Sequence, residues 1–134
     1  MCAFRSGEKP RVLVADDEKT IADTLKLILT GAGYDVRVVY NGIAAVEKAV
    51  EWSPDLLLSD VYMPGLSGID AAIQVCEHLP HCRVLLISGQ ADLQELRREI
   101  QSKCRRFDVF PKPVHPTELL ERMQAMLSQA DGQP

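Results

Sequence analysis

The sequence predicts an α/β fold, a doubly wound (βα)5 sandwich built on a five-stranded parallel sheet. Three observations lead there. Short apolar, β-branched runs alternate five times with segments of helical period. Three of those runs, Val12-Leu13-Val14-Ala15, Leu56-Leu57-Leu58 and Val84-Leu85-Leu86-Ile87, are apolar on consecutive residues, so each needs cover on both faces. The chain has 134 residues, 46% of them hydrophobic and 25% charged, enough for one core without covalent staples.

The first strand is predicted over Arg11–Ala15. A helix follows with Ile21, Leu25, Ile28 and Ala32 on one face and Gly33 as its stop. The second strand is Asp35–Val39, and a helix from about Ile43 to Trp52 comes next. Asn41-Gly42 has hairpin composition, but the period after it is helical, so Asn41 marks the helix start. The third strand is Leu56–Ser59, followed by a helix with Ile69, Ala72, Ile73 and Cys76 on its apolar face. The fourth strand is Val84–Ser88, and its helix opens on the cap-box-like pair Asp92 and Glu95 before Leu93, Leu96 and Ile100. The fifth strand, Asp108–Pro111, leads to a helix that begins near His115-Pro116 and carries Leu119, Leu120, Met123 and Leu127. Right-handed crossovers at this size favour the flavodoxin-like strand order 2-1-3-4-5. One domain over residues 10–128 is expected, with a mobile N-terminal segment at 1–9 and a polar C-terminal tail at 129–134.

Composition excludes several functions. The net charge of −4 leaves no electrostatic footprint for nucleic acid, so direct binding to it is not expected. No apolar run exceeds four residues, far short of a membrane span, and Met1 to Pro10 holds no signal peptide. A cytoplasmic protein is expected. Its four cysteines, at positions 2, 76, 82 and 104, form no C-x-x-C pair and should remain thiols in a reducing compartment. Cys76-Glu77-His78-Leu79-Pro80-His81-Cys82 gathers possible zinc ligands, but Cys76 lies on an apolar helical stripe and Pro80 turns the chain. A core thiol with surface histidines is the better reading.

The polar residues fall in a telling place. Asp16-Asp17 follows strand one, Asp60 ends strand three, Ser88 ends strand four, and Lys112 follows strand five. In a parallel sheet these positions share the carboxyl edge, where open α/β sheets hold their ligands. Strand two ends in Val39-Tyr40 and offers no such group. Three carboxylates crowded together need a counter-charge, and Mg²⁺ suits a site of one or two carboxylates, waters and a phosphate. A carboxylate beside that metal can attack phosphorus to give an aspartyl phosphate. Lys112 would hold one phosphoryl oxygen and the Ser88 hydroxyl another.

Val12-Leu-Val-Ala-Asp-Asp-Glu18, Asp60-Val-Tyr-Met-Pro-Gly-Leu-Ser-Gly68, Ile87-Ser-Gly89 and Lys112-Pro113 resemble, in order and spacing, the four signature segments of bacterial response-regulator receiver domains. The resemblance covers about residues 10 to 128. It implies that Asp60 is the phosphoacceptor, served by a sensor histidine kinase or a histidine phosphotransfer protein. It implies direct Mg²⁺ ligation by Asp17 and Asp60, by Asp16 largely through water, and by the backbone carbonyl of Tyr62. Ser88 and Lys112 would act on the phosphoryl group, and the same site would hydrolyse its own acyl phosphate. Tyr62 and Gln90 flank the site and would tune that hydrolysis. Output would pass to an effector or a second copy through the face of the fourth helix, fifth strand and fifth helix.

Two departures stand out. Val109 occupies the switch position where the family usually carries an aromatic residue, and Phe110, its neighbour, should point to the opposite face. Arg105-Arg106-Phe107 replaces the small residues common before strand five. The cationic run Arg97, Arg98, Lys103, Arg105 and Arg106, with Glu99, reads as a solvated face, and Trp52 as a helix-end residue on the core rim.

Plainer readings exist for each residue. Acids favour a helix N-terminus, Asp60 precedes a Pro64-Gly65 turn, Ser88-Gly89 could open a loop, and Lys112 could be solvated. None of these accounts for the set. A flavodoxin-type cofactor module would need a glycine- or hydroxyl-rich phosphate cradle after strand one, where this chain has Asp16-Asp17-Glu18. A pseudo-receiver, an interaction domain that ignores the phosphate, takes some support from Val109. No effector domain follows residue 128, so the sequence reads as a stand-alone regulator or the receiver piece of a longer protein, and the start at Met1 favours a free or N-terminal receiver.

Overall fold

The computed structural model describes residues 9–89, 93–101 and 107–128. Five strands alternate with five helices: β1 (Arg11–Ala15), α1 (Lys19–Gly31), β2 (Asp35–Val39), α2 (Gly42–Trp52), β3 (Leu56–Asp60), α3 (Gly68–His78), β4 (Arg83–Ser88), α4 (Leu93–Gln101), β5 (Phe107–Pro111) and α5 (Pro116–Ser128). The strands are parallel in the order β2-β1-β3-β4-β5, the doubly wound, flavodoxin-like topology the sequence predicts.

The consecutive apolar strands are the central ones, as two-sided burial demands. Every residue of β3 and β4 is buried. Leu13, Leu57, Val84, Leu86 and Val109 face one core, beneath α2, α3 and α4. Val12, Leu56, Leu58, Leu85 and Phe110 face the other, with Leu25, Leu29, Leu119 and Met123 of α1 and α5. Val109 and Phe110 therefore point to opposite sides, as expected from the strand period. Trp52 lies half-buried at the rim, with the Arg11 and Arg37 guanidinium groups 5.6 and 5.2 Å from its ring centre.

The helix punctuation has local causes. The Asn41 side chain accepts the Ala44 N–H at 2.7 Å and caps α2. Ser67 accepts the Asp70 N–H and caps α3. Gly33, at φ +101°, follows the end of α1. Pro116 opens α5, where its missing N–H costs nothing. Asp92, the proposed cap of α4, lies outside the described residues, as do the side chains of Leu93, Leu96 and Glu99; Ile100 is fully buried.

One expectation is corrected. Cys76 is not a thiol: it is disulfide-bonded. Sequence spacing carries no information on which cysteines meet in space, since pairing depends on Cα separation and Cβ direction. Cys82 is free and buried, and burial pushes its thiol pKa up to about 12. His78 and His81 are exposed, whereas Cys82 faces the core.

Candidate functional site

The site is assembled at the carboxyl edge of the sheet from the loops that leave β1, β3, β4 and β5. β1 ends at Ala15, and the Asp16 N–H then bonds the Val39 carbonyl at 3.2 Å, tying the acidic turn to β2. The Asp16 carboxylate accepts the Glu18 N–H at 2.9 Å, which turns the chain into α1. Strand two offers a backbone carbonyl here, a role its apolar side chains could not reveal in the sequence.

Asp60 closes β3 opposite Ile87 of β4 and is 7% exposed. Carboxylate oxygens of Asp16, Asp17 and Asp60 all lie within 4.8 Å of one another. Lys112 Nζ stands 3.4 Å from Asp60 Oδ2. Ser88 ends β4, buried and opposite Pro111, and its carbonyl accepts the Lys112 N–H at 3.0 Å. Lys112 continues into a cis peptide with Pro113. The four strand ends thus bring together the acids and the ammonium that the sequence singles out. Tyr62 follows Asp60 by two residues with an exposed side chain. Gln90 lies outside the described residues.

The electrostatics invite a cation. Burial raises the pKa of the Asp16 carboxyl, and the neighbouring charges of Asp60 and Asp17 push the same way. The Glu18 amide and Lys112 oppose that shift without reversing it. Clustered hard oxygen donors, two of them buried, with the Lys112 ammonium beside them, fit Mg²⁺ by donor type. Asp17, the exposed member of the three, faces solvent.

Two glycines near the site were not legible as site-shaping residues. A Cβ on Gly68 would lie 1.9 Å from the Asp60 carbonyl oxygen, and one on Gly42 would lie 2.1 Å from that of Leu66. Only a topology that folds α2 and the β3–α3 loop together exposes that constraint.

Val109 is 1% exposed and packs into the α3–α4 core. Arg97 is exposed, as expected, and in addition bonds Asp108 at 2.7 Å and the Val109 carbonyl at 3.3 Å. Asp108 also bonds Arg122 of α5 and the Val109 N–H. Arg98 is exposed, as expected, and Lys103, Arg105 and Arg106 lie outside the described residues.

Comparison with known proteins follows the same lines. Residues 12–124 match the family model of the response regulator receiver domain. The DNA-binding response regulator MtrA of Mycolicibacterium paratuberculosis is 31% identical over 126 residues, covering 94% of this chain and 55% of that protein. MtrA of Mycobacterium tuberculosis is likewise 31% identical, with 54% of its length covered. The chain thus spans about half the length of these curated relatives. Among solved structures, the chemotaxis protein CheY4 of Vibrio cholerae superposes with a TM-score of 0.82 at 26% identity, covering 89% of this chain and 99% of that one. A CheY-like receiver domain protein from Methanospirillum hungatei gives 0.81 at 25% identity, with coverages of 90% and 94%. Because the match runs nearly end to end in sequence as well as in fold, the chain belongs to the response regulator receiver domains of two-component signalling.

Proposed function

We propose that Asp60 accepts a phosphoryl group from a phosphohistidine on a sensor histidine kinase or phosphotransfer protein, and that the modification switches a partner on or off. The observation that carries this reading is the juxtaposition of three carboxylates within 4.8 Å with Lys112 at 3.4 Å from Asp60. An Asp60 oxygen attacks phosphorus, an O–P bond forms, the N–P bond breaks, and the histidine keeps the electron pair. Asp17, Asp60 and, through water, Asp16 would hold Mg²⁺ with the Tyr62 backbone carbonyl. The ion, when bound, supplies charge neutralisation for the phosphoryl oxygens. Lys112 neutralises a further phosphoryl oxygen, and the Ser88 hydroxyl turns toward another. Attack of water on the acyl phosphate at the same site would return the carboxylate.

The partners follow from two surfaces. A cleft of about 370 Å³ opens beside Asp16 and Lys112, lined by Ile21, Leu25 and Ile28 of α1 and by Pro113 and Val114. A phosphodonor with an apolar helical surface fits there. Output passes through the α4–β5–α5 face to an effector or a second copy. No helix among the described residues is long and apolar enough to cross a membrane, and a cytoplasmic receiver unit over residues 10–128 is in keeping with the acidic chain. The acidic balance of the chain does not favour nucleic acid as a partner, and the DNA binding in the relatives' names is said of those longer proteins.

Acetyl phosphate with Mg²⁺ should add the mass of one phosphoryl group to the wild type and nothing to Asp60→Asn, read by prompt intact-mass analysis. An unmodified wild type would overturn the proposal. Val109 gives one reason to consider a second reading, an interaction domain indifferent to the phosphate. That reading gains if the adduct forms yet leaves hydrodynamic size and partner binding unchanged.

A further inference from the structure

We infer that Gly42, at the first position of α2, is a positioning residue for the cation site: its missing side chain lets the β3–α3 loop seat where the loop can serve Mg²⁺ in preference to a larger ion. The inference rests on the proposed metal site and deepens it.

Gly42 is buried, and its φ is not in the left-handed region, where among the described residues only Gly33, Gly65 and Ser53 lie. Its requirement for glycine is therefore one of space. A Cβ there would stand 2.1 Å from the Leu66 carbonyl oxygen and 2.9 Å from both the Leu66 carbonyl carbon and Cβ. The nearest obstacle is backbone, which no rotamer change can move.

Two features decide which side would yield. α2 is anchored: Asn41 caps its first turn through the Ala44 N–H, and Ala45 and Ala49 are fully buried against the sheet. The loop from Val61 to Ser67 is tied at its ends, by the Val61 N–H to the Ile87 carbonyl at 3.1 Å, by the Gly68 N–H to the Val61 carbonyl at 2.8 Å and by Met63 in the core. Its middle is freer: among the described residues no backbone hydrogen bond holds Pro64, Gly65 or Leu66. A methyl group at position 42 must therefore push Leu66 outward, from 2.1 Å toward the 3.4 Å of an ordinary contact.

Leu66 and Tyr62 belong to the same short loop, which springs from Asp60. Mg²⁺ demands near-octahedral oxygens at about 2.0–2.1 Å, whereas Ca²⁺ accepts six to eight ligands at roughly 2.3–2.6 Å in flexible geometry. A displaced loop should therefore harm Mg²⁺ binding more than Ca²⁺ binding. Simple destabilisation of the fold predicts no such selectivity.

The test is calorimetric titration of the whole chain with Mg²⁺ and separately with Ca²⁺, in wild type, Gly42→Ala and the control Gly31→Ala. Gly31 has no atom within 4 Å of its Cβ position and no positive φ, so its variant should bind as wild type does. Gly42→Ala should weaken Mg²⁺ about ten-fold, in the range of outer-shell changes at metal sites, and Ca²⁺ by clearly less. A folded Gly42→Ala with the wild-type Mg²⁺ affinity and Mg²⁺/Ca²⁺ ratio overturns the inference while leaving the proposed function intact. A wild type that binds no Mg²⁺ overturns both. Should Gly42→Ala fail to fold, Leu66→Gly loosens the loop on the other side of the same contact without adding an atom. It should weaken Mg²⁺ more than Ca²⁺ in smaller measure, and an unchanged ratio would overturn the inference.

Discussion

Val109, the proposed switch position, is a small side chain at a buried place in the core. It is almost wholly buried among Leu86, Ile100 and Phe107, while its N–H and carbonyl are bound by Asp108 and Arg97. Val109→Tyr is therefore expected to cost about 1–3 kcal/mol through overpacking, measured by urea unfolding. A neutral or stabilising result would mean that the core holds a vacant aromatic slot. Cys82 offers a second check. Its thiol is pushed up to about 12 by burial, against an ordinary value of 9.0. A raised folded pKa contributes stability below the unfolded value that is lost as pH rises through the folded one, so Cys82 should begin to destabilise the fold above about pH 9. At pH 8 it should resist iodoacetamide until denaturant is added, as peptide mapping would show. Legibility at this level was uneven. Asp16, Asp17, Asp60 and Lys112 were readable because acids and an ammonium that end parallel strands must meet along one edge of the sheet. Gly42 and the disulfide of Cys76 were not, because each depends on what lies opposite in space.

The strands and helices were more legible than any single contact. The central strands declared themselves by unbroken apolar runs, and the structure adds one residue at most to an end of β3, β4 and β5. Asn41 was readable as a cap because the helical period began just after it. The linkage of α4, β5 and α5 was not. Arg97 looked like one more charge on a solvated face, yet Asp108 bonds Arg97 of α4 and Arg122 of α5 together. Charges far apart in sequence give no periodic signal. This carboxylate joins the three elements of the proposed output face, and it also satisfies the Val109 N–H beside the outer edge of β5. A double-mutant cycle on Arg97→Ala and Asp108→Ala should return a coupling of about 0.5–1 kcal/mol, smaller at high salt because the groups are partly exposed. A zero coupling at low salt would show that the contact ties nothing together.

The sheet order is what turns scattered residues into a site. Parallel strands in the order β2-β1-β3-β4-β5 set the ends of β1, β3, β4 and β5 side by side, so residues 16, 60, 88 and 112 gather without a dedicated scaffold. The arrangement leaves like charges in close company, and a bound divalent ion should relieve them. Mg²⁺ at a hundred times its dissociation constant is expected to raise stability by about 2.7 kcal/mol, visible as a higher melting temperature that chelation by EDTA reverses. Asp17→Asn, a change at an exposed position, should abolish most of that shift. The decisive observation is the location of the phosphoryl group itself. After reaction with acetyl phosphate and Mg²⁺, borohydride reduction converts an aspartyl phosphate to homoserine, and peptide sequencing by mass spectrometry then finds the altered residue. Homoserine at position 60 alone, and only when Mg²⁺ was present, is the predicted result. Homoserine at Asp16 or Asp17, or none at all, would contradict it.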